Sequence, residues 1–379
     1  MPKQFVHNTL QDDESPSSHQ SLSGSDLLVE ALLHEHVDFI FGYPGGAVLP
    51  LYDTFYDGKI KHILARHEQG ATHAAEGYAR VSGKPGVVVV TSGPGATNAI
   101  TGITDAYCDS LPLVVFTGQV ASPGIGQDAF QEADLLSMTT PITKANYQIK
   151  NVDDIPKIVH EAFYIANTGR KGPVVIDFPK DMGVLKTSVP VTNDLALPGY
   201  HVPNEPNVDD IKALVSLLTH AKKPLILAGA GINNSQSNEL LTQFVSKYQI
   251  PVVTTLLGLG AVPYNNPLFL GMGGMHGSYA SNMALTECDL LINLGSRFDD
   301  RLASNPAQFA PNAKIVHVDI DESEINKVIQ TDLGIVADCK KVLKKLSAYF
   351  NKEIQFTAWA QHCQSNKDLH PFKDRKSVV

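Results

Sequence analysis

The sequence predicts an α/β protein with two parallel-sheet domains, each sheet carrying helices on both faces. Three observations lead there. Short β-branched runs alternate with stretches of helical period, several of those runs are continuously apolar, and a proline-rich interval splits the pattern in two. Continuous apolar strands belong to sheets covered on both sides, and strand–helix alternation belongs to parallel order.

Residues 37–41, 60–65, 86–91, 113–117 and 174–178 read as strands of a first domain spanning 25–188. Residues 69–82 (QGATHAAEGYARVS) and 155–166 read as its helices, from alanine content and apolar spacing. Ahead of it, residues 11–25 are rich in Ser, Asp and Gln, so residues 1–24 are expected to form a disordered tail. Residues 189–207 carry Pro190, Pro198, Pro203 and Pro206 and read as an extended linker. A second domain over 208–352 takes strands at 224–228, 251–255, 290–294, 314–319 and 334–337, with helices at 209–221, 236–248 and 340–350. Residues 353–379 are expected to be a C-terminal tail.

With 379 residues and 43% hydrophobic content, the chain can bury more than one core. A net charge of −9 repels nucleic acid over most of the surface, so small metabolites or a protein partner are expected instead. No apolar run approaches the ~18 residues of a membrane span, and the start lacks a basic-then-apolar signal. Neither membrane insertion nor export is expected, and the cytoplasm is the expected location. Cys108, Cys288, Cys339 and Cys363 are scattered without a C-x-x-C pair, which argues against disulfides and zinc.

Glu68, in Arg66-His67-Glu68-Gln69-Gly70, lies where a strand hands over to a helix. Ligands gather at the carboxyl ends of parallel strands, so a carboxylate there suits function, and it equally suits a helix N-terminus. His67 and His73 read as structural or surface residues, having no carboxylate or cysteine partners at metal-ligand spacing. Glycine loops follow strands at 43–47, 91–98, 229–231, 257–260, 271–277 and 295–301. Each alone fits a tight turn as well as a backbone approach to a ligand. The four in the second domain, with Asp319 and Asp321, point to an extended phosphate- and ribose-bearing ligand. Arg297 can hold a phosphate there or pair with Asp299 or Asp300. Neither of the loops at 43–47 and 91–98 matches a nucleoside-triphosphatase or dinucleotide fingerprint.

The strings RHEQGATHAAEGYARVSGKPGVVVVTSGPGATN, FTGQV, DAFQEAD, GPVVIDFPKD, MHG and GSRFDDR, in this order, resemble the acetolactate synthase catalytic subunit family across residues 25–359. The resemblance implies a pyrimidine-binding domain of thiamine-diphosphate enzymes, a central Rossmann-like FAD-binding domain, and a third domain that binds the diphosphate through Mg²⁺. The sequence given stops before the Gly-Asp-Gly motif of that third domain, so the metal ligands are expected there and none among these residues. The implied reaction decarboxylates pyruvate and joins the remainder to a second 2-keto acid, pyruvate or 2-ketobutyrate, on the route to valine, leucine and isoleucine.

Residue by residue, the resemblance makes Glu68 the partner of the pyrimidine ring that favours its imino tautomer, with Pro94 and Asn98 beside the same cofactor. Gly46 and Gln131 line the substrate side, and Val120, Phe130 and Lys180 a channel shared with a neighbouring subunit. Arg170, Gly229, Gly231, Met275, His276, Ser278, Arg297, Asp299, Asp319, Asp321 and Asp338 are implied contacts of a largely structural flavin. A homodimer or tetramer and a regulatory small subunit are implied partners. Gln127 stands where a small hydroxyl residue is usual, and Gly273 where a leucine is usual. Pyruvate oxidase and glyoxylate carboligase are related possibilities, against which DAFQEAD and GSRFDDR favour the first family. A reading of another class is a noncatalytic protein that holds FAD or docks onto an intact subunit.

Overall fold

The computed structural model describes residues 21–371 except 57, 193–194 and 203–204. Two compact units emerge, Met1–Asn167 with Lys171–Pro198, and Thr168–Arg170 with Gly199–Val379.

The first unit runs β1 (Leu22–Ser23), α1 (Gly24–His34), β2 (Phe39–Tyr43), α2 (Leu49–Tyr56), β3 (Lys61–Leu64), α3 (Glu68–Ser82), β4 (Gly86–Val90) and α4 (Pro94–Asp109). It continues through β5 (Leu113–Gln119), α5 (Leu135–Thr139), β6 (Ala145–Gln148), α6 (Ile155–Asn167), β7 (Pro173–Pro179), α7 (Lys180–Val184) and β8 (Lys186–Thr187). Six strands pair in the order β3-β2-β4-β5-β7-β6, every pair parallel. β4, β5 and β7 are buried along their whole length, as strands covered by helices on both sides must be. From β2 the chain steps to β3 on one side and then to β4 on the other, so the connection reverses between β2 and β4. A crevice for ligands opens at such a reversal.

The expected tail through residue 24 is corrected at its end. Ser23 accepts a hydrogen bond from Asp26 N and its own N–H donates to the Asp26 side chain, a reciprocal cap that starts α1 at Gly24. Leu22 and Ser23 pair antiparallel with β8, and Ser25 is buried. The Ser-rich run therefore ends in a helix start, while residues 1–20 of the expected tail lie outside the described residues.

The second unit comprises α8 (Val208–His220), β9 (Pro224–Ala228), α9 (Ala230–Asn234), α10 (Asn238–Tyr248), β10 (Val252–Thr254), β11 (Phe269–Met272) and α11 (Tyr279–Glu287). Then follow β12 (Leu290–Leu294), β13 (Lys314–Asp319), β14 (Leu333–Val336), α12 (Cys339–Tyr349) and α13 (Thr357–Leu369). Its sheet is also parallel, β11-β10-β9-β12-β13-β14, reversing between β9 and β12. Residues 353–379 were expected as a tail, yet α13 buries Trp359, Ala360 and Cys363 in the core, and Trp359 Nε1 donates to Pro224 O at 3.0 Å. Three buried positions in thirteen residues are too sparse to show as an apolar stripe. Residues 372–379 lie outside the described residues. All four cysteines are free, and no helix of the described residues is long and apolar enough to cross a membrane.

Candidate active site

In the first unit, the crevice between β2 and β4 is bordered by the turn after each strand and by the start of α3. Glu68 opens α3 and is 7% exposed. Capping falls to its neighbour, since His67 Nδ1 accepts the Gln69 N–H, whereas Glu68 Oε2 accepts the Asn98 side-chain amide at 3.0 Å. Oε1 accepts no hydrogen bond from the described residues, and it looks across Gly95, where a Cβ would lie 3.1 Å from it. The helix-cap reading of Glu68 thus gives way to a carboxylate turned into the crevice, one oxygen satisfied and one open. Tyr52 donates to Val89 O at 2.9 Å, and its phenol is pushed above its ordinary pKa by burial and further by Glu68, so it remains protonated beside that carboxylate.

The turn after β2 packs on the turn after β4. Ala47 N–H donates to Thr91 Oγ1 at 3.3 Å, and a Cβ on Gly45 would sit 2.5 Å from the Thr91 Cβ. Gly46 is exposed, and a Cβ there would meet nothing within 4 Å. Gly93, at φ +55°, lies under the 120–134 loop, where a Cβ would come within 2.4 Å of Gln131 O. That contact brings Gln131 to the start of α4, alongside Pro94 and one turn from Asn98. Phe130 is 87% exposed at the same loop, and Lys180 is exposed at the end of β7.

In the second unit, the reversal point is filled by glycine backbone. A Cβ on Gly229 would lie 2.2 Å from Gly295 O, and one on Gly231 would lie 2.6 Å from Gly295 Cα. Gly229 N–H donates to Leu294 O and Gly231 N–H to Gly295 O, so both amides serve the sheet ends. Several polar side chains there shape loops: Asp299 accepts the Arg301 and Leu302 N–H groups, Ser278 caps α11, Asp338 caps α12, and buried Asp319 accepts Asp321 N–H. Arg170 pairs with Asp321 at 3.1 Å and Glu324 at 2.8 Å; burial opposes its charge, and these two carboxylates outweigh it to raise its pKa. Arg297 forms no ion pair among the described residues, and Met275 and His276 are exposed.

Against protein families, residues 22–138 match the thiamine pyrophosphate enzyme N-terminal TPP-binding domain and residues 211–346 match the thiamine pyrophosphate enzyme central domain. The chain belongs to the thiamine pyrophosphate enzymes. Within that family it is similar to acetolactate synthase large subunits. It is 56% identical to that of Lactococcus lactis over 351 residues, covering 92% of this chain and 61% of the relative. The probable large subunit of Methanocaldococcus jannaschii is 49% identical over 330 residues, 86% of this chain and 56% of the relative. The isozyme 2 large subunit of Escherichia coli is 42% identical over 357 residues, 93% and 63% respectively. The chain thus spans about three-fifths of the length of these curated relatives.

In a thiamine pyrophosphate enzyme the group to be held is an aminopyrimidine, and the crevice fits it: an open carboxylate oxygen faces a space kept free by Gly95. The flavin expectation divides. Arg297 and His276 carry no side-chain hydrogen bond among the described residues and Met275 only a 3.8 Å contact from Arg301 to its sulfur, while Asp299, Ser278 and Asp338 are occupied as turn and cap residues and Arg170 and Asp321 hold each other. The statement that His73 lacks carboxylate partners is corrected: its Nδ1 lies 2.7 Å from Glu76 and 3.8 Å from Asp105, one helical turn on and across on α4. The roles of Thr91 and Gln119 leave no local signal in the sequence, because Thr91 joins two turns 44 positions apart and Gln119 joins two strands 58 positions apart.

Proposed function

We propose that the chain supplies the pyrimidine-binding and central domains of an acetolactate synthase large subunit, acting on pyruvate and a second 2-keto acid such as 2-ketobutyrate. The supporting observation is the buried Glu68 carboxylate, one oxygen held by Asn98 and the other open, inside a segment that matches the TPP-binding domain. Thiamine diphosphate, when bound, supplies the carbanion chemistry that lets a 2-keto acid lose carbon dioxide and form a new carbon–carbon bond. Glu68 would hold a proton at the pyrimidine ring through Oε1, and Asn98 fixes the carboxylate plane so that this oxygen, and not Oε2, faces the ring. Gln131 and Gly46 would border the 2-keto acid, with Val120, Phe130 and Lys180 at the approach.

FAD belongs to the same proposal, with Arg297, Met275 and His276 as its available contacts and the glycines of the reversal point giving close backbone packing. Mg²⁺ would be held by residues of the relatives' remaining length. Assembly as a dimer or tetramer, and a regulatory small subunit, are further parts of it, as is a cytoplasmic location. The test replaces the corresponding segment of the Lactococcus lactis large subunit with this chain and assays acetolactate from pyruvate with thiamine diphosphate, Mg²⁺ and FAD. Acetolactate formation within about tenfold of the parent is expected. A folded chimera that makes none, beside an active parent, would overturn the proposal.

A further inference from the structure

Thr117 on β5, Asp177 on β7 and Gln148 on β6 occupy one row of the sheet. Asp177 is 1% exposed and accepts three hydrogen bonds, from Thr117 Oγ1 at 3.1 Å, Gln119 Nε2 at 3.2 Å and Gln148 Nε2 at 3.0 Å. Gln119, 3% exposed, ends β5 and uses its whole side-chain amide. Nε2 donates to Asp177 and to Ala133 O at 3.2 Å, and Oε1 accepts the Val120 N–H at 2.8 Å.

Val120 and Ala133 are the two ends of the loop that carries Phe130 and Gln131. A single side chain therefore fastens both ends, and a carboxylate, which can only accept, decides which way round its amide sits. Ser122, tied by Asp181 through its N–H at 2.9 Å, strengthens one end only. We propose that Gln119, oriented by Asp177, is a positioning residue that sets the 120–134 loop over the substrate side of the crevice. The functional half of this rests on the proposed function, in which Gln131 borders the 2-keto acid and Val120 and Phe130 stand at the approach.

Hydrogen exchange on the 379-residue chain tests the clasp without any activity. Gln119→Leu removes both ties, and exchange over residues 120–135 should quicken about tenfold per hydrogen bond lost, with β4 and α6 unchanged. Gln119→Glu sets two carboxylates together and should loosen the same segment. Combining it with Asp177→Asn restores a donor–acceptor pair and the Val120 tie, yet leaves Ala133 O without its side-chain donor, the Leu135 N–H alone remaining. Protection should return at Val120 and stay low near Ala133, a split that a general loss of stability would not produce. Should Gln119→Leu not fold, the Glu variant and the double variant decide alone.

In a chain extended to the relatives' full length, Gln119→Glu should raise KM for pyruvate about tenfold with kcat within about threefold, and the double variant should recover part of it. Unchanged loop exchange in the variants, or exchange altered evenly through the unit, would overturn the proposal. So would an unchanged KM in an enzyme whose wild type is active. A wild-type enzyme that ignores pyruvate would instead sink the functional reading, with the exchange results still deciding the clasp.

Discussion

Asn98 donates its side-chain amide to Glu68 Oε2 across 3.0 Å and 30 positions of sequence, tying the second turn of α4 to the first residue of α3. Each helix start follows a different strand of one sheet, so the pair is assembled only when that sheet is. In full-length context, Glu68→Gln should keep the fold and slow proton exchange at the C2 carbon of bound thiamine diphosphate by on the order of 10²-fold. Asn98→Ala should slow it less, by about tenfold, since it frees the carboxylate plane without removing the acid. Proton NMR of quenched samples reads both, and an unchanged rate in the Gln variant would remove Glu68 from the chemistry.

Acidification should act through His62. Burial pulls its pKa below the ordinary histidine value, Nε2 has no hydrogen-bond partner among the described residues, and its ring stands edge-on to Tyr52 at 4.9 Å. The folded state thus prefers neutral His62 and the unfolded state binds more protons below about pH 6.5. This contribution is complete above that pH and is lost as pH falls toward the folded-state pKa. Unfolding free energies at pH 7.5 and 5.5 should differ less in His62→Phe, which keeps a ring against Tyr52, than in wild type. Equal slopes would show that His62 is not the group responsible.

Two arginines expected to touch flavin should separate on substitution. Arg170→Ala removes charged hydrogen bonds to Asp321 and Glu324 and should lower stability by about 1–3 kcal/mol. Arg297→Ala breaks no ion pair among the described residues and should change stability by less than about 0.5 kcal/mol while weakening FAD binding. Thermal melts and flavin-fluorescence titrations distinguish them, and equal melts with equal flavin affinity would contradict both assignments.

Gly231→Ala should destabilise the second unit by about 1–3 kcal/mol, because its Cβ would press on Gly295 Cα at 2.6 Å, backbone that has no rotamer to yield. Urea unfolding followed by circular dichroism measures this. A neutral result would mean that the two turns can part without loss.

Much of this architecture is legible in the residues. GVVVV at β4 and PLILA at β9 are uninterrupted apolar runs, and LLINL at β12 is broken only by the buried Asn293, as central parallel strands require. The sheet edges are harder to read. β6 is ANYQ, only half-buried at an edge, and β11 is FLGM, whose glycine looks like a turn. α4 begins within Gly93-Pro94-Gly95, which reads as a loop until proline is placed in the first turn of a helix. Glu68 could be found from its place between strand and helix. Its open oxygen could not, because that depends on Asn98 and Gly95 from another strand–helix junction. The Gln119–Asp177 contact, 58 positions apart, leaves no local pattern at all.

Trp359 is the only tryptophan in the chain, and it is buried against Pro224 O with His362 stacked on its ring. Indole emission is therefore an optical label confined by nature to the second unit. A red shift on denaturation times the collapse of that unit alone, while circular dichroism follows both. Any lag between the two signals measures directly whether the halves unfold as one cooperative body or in sequence.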